Sequence, residues 1–119
     1  MLADNYTSWY KHTNSVRYIF PVLYVFKNSE CIHPLKQKVI YDIVTACSKI
    51  ETAIWVFGSA TNIRCTAKSD VDIVVRGNYN AVCRMINEIT NYNCDIINYM
   101  ELEANQLGIN ICRQGVRVL

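Results

Sequence analysis

The chain has 119 residues, which is enough for one modest hydrophobic core but not for two. About half of the residues are hydrophobic (51%) and 18% are charged, a balance that excludes a largely disordered chain. The formal net charge is only +2 and the basic residues are scattered, so the charge pattern does not support a nucleic-acid-binding surface.

The cysteines and the beginning of the chain bear on the compartment. The cysteines lie singly with no CxxC pair, and the opening MLADNYTSWYKHTN is polar, so no signal peptide is predicted. We therefore expect reduced thiols and a cytoplasmic protein. The apolar run at 18–26 contains Pro21 and is too short to span a bilayer, so no membrane segment is predicted. The cysteines are Cys31, Cys47, Cys65, Cys83, Cys94 and Cys112.

The first 33 residues are predicted to form an N-terminal helical extension. The stretch NSVRYIFPVLYVFKN is apolar enough for a helix and offers Asn14 or Ser15 as its cap, although Pro21 would kink or break it. Residues 34–119 are predicted to form the main domain.

That domain alternates helices with strands. Apolar residues at helical spacing predict a helix over 35–50, with Pro34 in its first turn. A β-branched and aromatic run predicts a strand over 52–57, and a short helix is expected to begin at Ser59. A second strand over 70–76 and a helix over 79–92 follow, separated by Gly77-Asn78.

The C-terminal part repeats this order. CDIINYM predicts a third strand over 94–100, and a helix over 101–115 is predicted to end at Gly115. The final VRVL is expected to add a short strand. The elements together predict an α/β domain with a small, mixed sheet flanked by helices.

Chemistry is concentrated between Val56 and Val75. Side chains alternate along a strand, so Asp70 and Asp72 are expected to project from the same face. Two carboxylates this close repel each other unless a cation lies between them, and oxygen-only ligands favour Mg²⁺. Gly58 would let a phosphate approach the backbone, and Ser59 offers a hydroxyl and an amide donor.

Asp95, near the start of the third strand, could reach the same cluster, and two metal ions could then assist a nucleophile while pyrophosphate leaves. Each element alone has a more ordinary interpretation. A Gly-Ser after a strand is usually a turn, and an aspartate at a strand end is usually solvated. Their order favours a magnesium–triphosphate site.

That order resembles the minimal nucleotidyltransferases of the DNA polymerase beta superfamily. Ten residues, Ala60 to Ser69, separate Ser59 from Asp70, as in the family's GS-x10-DxD signature. Asp95 is similar in position to the family's third carboxylate. The resemblance covers roughly residues 35–119 and implies the minimal nucleotidyltransferase fold.

The resemblance also implies roles for these residues. Gly58 and Ser59 would hold the nucleotide triphosphate, most simply ATP, and the three aspartates would bind two Mg²⁺ ions. Asp95 would also help to deprotonate the acceptor hydroxyl. Many members have basic residues directly after the serine, whereas Ala60 to Ile63 follow here. Arg64 and Lys68 are the nearest cations and could contact phosphates; the alternative is that both are solvated loop charges.

Two functions follow from the resemblance. The first is a magnesium-dependent enzyme that transfers a nucleoside monophosphate to a protein or small-molecule hydroxyl, plausibly as the antitoxin of a pair with a HEPN-type toxin. The second is a catalytically weak or inactive module that acts by binding a partner protein. A domain this small rarely encloses two substrates, so a partner protein or a homo-oligomer is expected to complete the acceptor site.

Overall fold

The computed structural model describes residues 18–91, 93–102 and 114–119. Two α-helices lie in these ranges, α1 (Pro34–Cys47) and α2 (Tyr79–Ile89). The strands are β1 (Ala53–Phe57), β2 (Val71–Arg76), β3 (Cys94–Asn98) and β4 (Val116–Arg117). Single turns of 3-10 helix occur at Ser29–Cys31, Gly58–Thr61 and Tyr99–Glu101.

The four strands form one mixed sheet in the order β3-β2-β1-β4. Strand β1 is antiparallel to both β2 and β4, whereas β2 and β3 are parallel and are joined through α2. A parallel pair needs such a crossover, and the helix supplies it. Because β1 runs towards the edge at which β2 and β3 begin, the end of β1 lies beside the starts of both strands.

One face of the sheet packs against both described helices. The strand residues of this core are those that alternate onto that face, and they are buried together with the apolar stripes of α1 and α2. The sequence predicts helices that flank the sheet, and the two described helices both pack on this one face of it. The buried strand residues are Ile54, Val56, Val71, Ile73, Val75 and Val116.

The opposite face carries aromatic and charged side chains. Trp55 and Tyr99 stack with ring centroids 6.1 Å apart, and the guanidinium groups of Arg117 and Arg76 lie over them at 5.4 and 5.0 Å. Val74, on the same face, is fully buried. Asp72 and Asp95 belong to this face by their register.

Helix α1 begins at the proline that its sequence predicts for its first turn, and it ends at Cys47, three residues before the predicted end. Pro34 occupies the first turn, where its missing N–H costs nothing, and the Nδ1 atom of His33 accepts the N–H of Leu35 at 3.1 Å. Two polar residues of the first turn, Lys36 and Gln37, are fully buried. Burial of such groups requires hydrogen-bond partners, and both have them.

The predicted N-terminal helix is wrong for the residues that the structure describes. Residues 18–28 contain no helix, and within residues 18–33 the only helical turn is Ser29–Cys31. The side chain of Gln37 explains the difference: its Nε2 donates to the carbonyl of Pro21 (2.7 Å), and its Oε1 accepts the N–H groups of Leu23 and Tyr24. These backbone groups therefore pair with α1 instead of with one another. Residues 1–17 lie outside the described residues.

The other predicted elements fare better. The helices over 35–50 and 79–92 and the strands over 52–57, 70–76, 94–100 and 116–119 are all present, most with ends shifted by one to three residues. The helix predicted over 101–115 lies mostly outside the described residues. The division of the chain at residue 33 stays a prediction, although Cys31 and Ile32 are buried in the common core. None of the described helices combines the length and apolar character needed to cross a membrane.

Candidate functional site

The three predicted carboxylates lie at one edge of the sheet. Asp70 directly precedes β2, Asp72 is the second residue of β2, and Asp95 is the second residue of β3. Asp72 is the register partner of Asp95 on one side and of Phe57 on the other. The parallel pairing of β2 and β3 therefore places two carboxylates next to each other on one face.

Asp72 and Asp95 are register partners on neighbouring parallel strands, so their carboxyl groups lie side by side. Burial raises the pKa of Asp72 above its ordinary value of 3.8, and the charge of Asp95, a hydrogen bond with Asp95 and the charge of Asp70 raise it further. Asp72 is half-buried, whereas Asp70 and Asp95 are exposed. Two carboxylates this close are stabilised by a shared proton or by a bound cation. This edge of the sheet therefore favours the binding of a cation.

Gly58 packs directly against Asp72. Its φ of +76° lies in the left-handed region, and a Cβ atom there would meet the Oδ2 atom of Asp72 at 2.6 Å. Only glycine fits both the backbone conformation and the space. The turn from β1 thus brings backbone atoms up to the carboxylate that sequence analysis selected.

Ser59 links the turn to the strand that follows it in the site. Its hydroxyl donates to the carbonyl of Asp70 at 3.4 Å, a long hydrogen bond. The turn itself is closed by the Thr61 hydroxyl, which donates to the carbonyl of Gly58 at 2.9 Å. The Ser59 hydroxyl therefore connects the turn that carries Gly58 to the backbone of Asp70.

The two predicted phosphate-contacting cations differ in position. Lys68 lines an open cleft of about 320 Å³ whose lining also includes Asp70, Asn91 and Asn93. Arg64 is exposed and is not part of the lining of that cleft. The backbone N–H of Arg64 donates to the side chain of Asn62 at 2.9 Å, which fixes the loop but not the guanidinium.

Sequence analysis missed Lys36 as a residue of this region. Its ammonium group donates to the carbonyls of Ala67 (3.3 Å) and Ser69 (2.5 Å), the residues just before Asp70. A signal was present, because Lys36 has helical spacing with the apolar residues Ile40, Ile43 and Cys47. A lysine on the apolar stripe of a helix is rarely fully buried unless its ammonium group has hydrogen-bond partners.

Cys94 adjoins the site without contributing a ligand. Burial, followed by the charge of Asp95, raises the pKa of its thiol to about 11, while Lys36 acts in the opposite direction. Cys94 packs against the buried core and, by strand alternation, lies on the opposite face of β3 from Asp95. The five described cysteines form no disulfide, and Cys112 lies outside the described residues.

The donor chemistry of the site fits Mg²⁺, with Asp72 and Asp95 as the pair that would hold it and Asp70 beside them. Within residues 18–91, 93–102 and 114–119, no three His, Cys, Asp or Glu side chains converge as a ready metal-binding group. The arrangement is thus a carboxylate pair with a third carboxylate close enough to raise the pKa of Asp72. Mg²⁺ commonly uses only one or two carboxylates and takes its other ligands from water and substrate phosphates.

Comparison of the chain with protein-family models and with curated proteins gives no match. A function therefore has to be argued from the carboxylates, the turn after β1 and the contacts between them.

Proposed function

We propose that this chain is a magnesium-dependent nucleotidyltransferase, which moves a nucleoside monophosphate from a nucleoside triphosphate to a hydroxyl group. The observation that carries the proposal is that Asp72 and Asp95 lie side by side on neighbouring strands, with the backbone of Gly58 against Asp72. A contacting carboxylate pair disfavours its own ionised state, and a site for a divalent cation is the use that such an arrangement serves best. Glycine at the adjacent turn leaves room for phosphate.

The chain's own groups have distinct tasks in this proposal. The backbone of the Gly58–Ser59 turn and the Ser59 hydroxyl would bind the triphosphate, with Lys68, and less directly Arg64, adding positive charge. Asp95 would accept the proton of the acceptor hydroxyl, whose oxygen forms a bond to the α-phosphorus while the bond to pyrophosphate breaks. Asp72 and Asp95, with Asp70 beside them, would hold Mg²⁺, which when bound neutralises phosphate charge.

The nucleotide and the acceptor follow only from the family resemblance. By that resemblance ATP is the proposed donor, and two Mg²⁺ ions are the proposed complement. A protein hydroxyl is the proposed acceptor, with a HEPN-type toxin as the partner in a toxin–antitoxin pair. A homo-oligomer that completes the acceptor site is the alternative arrangement. The cytoplasm is the proposed location, because the described cysteines are all free thiols.

The second candidate is a module that binds a partner protein without catalysis. The observation in its favour is the segment after Pro21, in which Val22, Leu23 and Val25 are 45%, 64% and 81% exposed. Neighbouring exposed apolar side chains are typical of a surface that a partner covers. This surface is compatible with the enzyme as well, since an enzyme that modifies a protein must also bind it.

Nucleotide transfer can be tested by intact-mass analysis. The purified chain would be incubated with Mg²⁺ and each of the four ribonucleoside triphosphates, alone and with the product of a neighbouring gene. We expect a mass gain of one or more nucleoside monophosphate units on one of the proteins. Asp72→Asn should abolish the gain. Asp42→Asn should retain it, because Asp42 pairs with Lys38 on the exposed side of α1.

Two outcomes separate the candidate functions. Equal mass gain with native protein and Asp72→Asn would refute the catalytic role of the carboxylates. No gain under any condition, together with tight binding of the neighbouring protein that Leu23→Asp abolishes, would favour the binding module instead.

A further inference from the structure

The first turn of α1 contacts both halves of the candidate site. The backbone N–H of His33 donates to the carbonyl of Ala60 at 2.7 Å, in the turn that carries Gly58 and Ser59. One helical turn later, Lys36 donates to the carbonyls of Ala67 and Ser69, in the loop that carries Asp70. The start of this helix therefore holds the turn after β1 and the loop before β2 in fixed relation.

The backbone around Asp70 is fixed at three successive points. The carbonyl of Ser69 accepts from Lys36, the carbonyl of Asp70 accepts from the Ser59 hydroxyl, and the N–H of Val71 donates to the carbonyl of Asn93 at 3.0 Å. The Ser59 contact is long, and Asp70 itself is exposed. Lys36 makes the shortest of these contacts and is the charged donor, so it contributes most to the order of this loop.

The burial of Lys36 carries an energetic cost, which indicates that the buried ammonium group has a role. The side chain has no exposed surface, and removing an ammonium group from water carries a large desolvation penalty. An aliphatic residue would fill the apolar stripe of α1 without that penalty. The other lysine of α1, Lys38, is exposed and pairs with Asp42, so the helix has surface positions for charge.

We infer that Lys36 is a positioning residue of the carboxylate site, which fixes the loop that presents Asp70 and thereby sets the affinity for a divalent cation. The inference rests on the proposed function in its metal-binding part. It extends that function by assigning a task to a residue that touches neither substrate nor metal.

The chain offers a matched control at the next position. Gln37 is also fully buried, also lies in the first turn of α1, and also donates to backbone carbonyls. Its partners, however, are Pro21 and Ile32, remote in sequence from the Asp70 loop. Lys36→Met and Gln37→Met each replace a buried polar side chain with an apolar one of similar length. Both should lower the free energy of unfolding, but only Lys36→Met removes hydrogen bonds to the loop before Asp70.

Two measurements test the inference on the native chain and these two variants. The first is the dissociation constant for Mn²⁺, used as the probe for Mg²⁺. We expect Lys36→Met to weaken binding by about tenfold or more, as the loss of groups that orient metal ligands does elsewhere, and Gln37→Met to leave it within about threefold. The second is amide hydrogen exchange, which needs no metal. Exchange at residues 69–71 should accelerate in Lys36→Met and not in Gln37→Met.

The outcomes distinguish this inference from the proposed function. Absence of Mn²⁺ binding by the native chain would contradict the proposed function. Native binding with an unchanged dissociation constant and unchanged exchange in Lys36→Met would overturn the inference alone. If Lys36→Met does not fold, Lys36→Gln, which retains a hydrogen-bond donor, replaces it in both measurements. We then expect an intermediate loss of Mn²⁺ affinity. Native-like Mn²⁺ affinity and hydrogen exchange in Lys36→Gln would count against the inference.

Discussion

Replacement of Gly58 by alanine tests the close approach of the turn to Asp72. Gly58 has a φ of +76°, and alanine in the left-handed region costs about 1–2 kcal/mol. The new Cβ atom would also lie 2.6 Å from the Oδ2 atom of Asp72, a separation that real Cβ atoms do not tolerate. The carboxylate must therefore move away, and ligands displaced by more than about 0.5 Å no longer bind productively.

Gly77 provides the matched control for this substitution. Its φ is +91°, and a Cβ atom there would lie 3.3 Å from the carbonyl oxygen of Glu51, away from the site. Gly58→Ala and Gly77→Ala should each lower the free energy of unfolding by about 1–2 kcal/mol in a urea titration. Only Gly58→Ala should shift the NMR signal of the Asp72 carboxyl carbon and weaken Mn²⁺ binding.

The result that refutes this reasoning is equally specific. An Asp72 signal and a Mn²⁺ affinity that are the same in Gly58→Ala and Gly77→Ala would mean that Gly58 is needed only for its backbone conformation. The approach of the turn to the carboxylate would then have no part in the site.

The remaining predictions concern Asp72, Tyr79 and Ile73. Because the folded-state pKa of Asp72 is raised, its ionisation opposes folding, a penalty absent below about pH 3.8 that grows as the pH rises through the folded-state pKa. Asp72→Asn should therefore raise the urea midpoint of unfolding at pH 7 without metal, while it abolishes nucleotide transfer. A lower midpoint would contradict the view that the ionised Asp72 destabilises the fold. Tyr79→Phe removes the hydrogen bond from the phenol to the carbonyl of Ile96 (3.0 Å) and should lower the free energy of unfolding, measured by urea denaturation, by about 1 kcal/mol. An unchanged free energy of unfolding would show that this bond does not stabilise the fold. Ile73→Ala empties a fully buried position and should cost about 2–5 kcal/mol, with a value below 1 kcal/mol speaking against the described core.

The strands and helices of the main domain could be predicted because local signals agree with burial. Strand β2 shows this most clearly, since its apolar run is buried on both faces from Ile73 to Val75. Helix α2 likewise places Val82 and Ile86 on the buried stripe that its spacing predicts. Pro34 marks the start of α1 for a local steric reason, so that end was also readable from sequence.

The segment before α1 could not be predicted because its conformation depends on a distant side chain. An apolar stretch such as 18–26 is compatible with a helix when only its own residues are considered. The side chain of Gln37 donates a hydrogen bond to Pro21 and accepts hydrogen bonds from Leu23 and Tyr24, and these tertiary contacts favour an irregular backbone. Tertiary contacts of this kind routinely override local propensity.

The candidate site was predictable in its residues but not in its details. The spacing of Gly58, Asp70 and Asp72 predicts that the three residues lie near one another, because strand alternation and chain order are properties of the sequence, and the structure places Gly58 against Asp72. The contact between Asp72 and Asp95 depends on the parallel register of β2 and β3, which no local pattern specifies. Lys36 was missed because a lone lysine is normally assigned to solvent.

A crystal structure of the chain grown with Mn²⁺ and a non-hydrolysable nucleoside triphosphate tests the central claim most directly. The account predicts an anomalous scattering peak bound by Asp72 and Asp95, with the triphosphate against the backbone of Gly58 and Ser59. A well-ordered nucleotide elsewhere, or Mn²⁺ peaks that avoid both carboxylates while Asp72 and Asp95 keep their direct hydrogen bond, would contradict it.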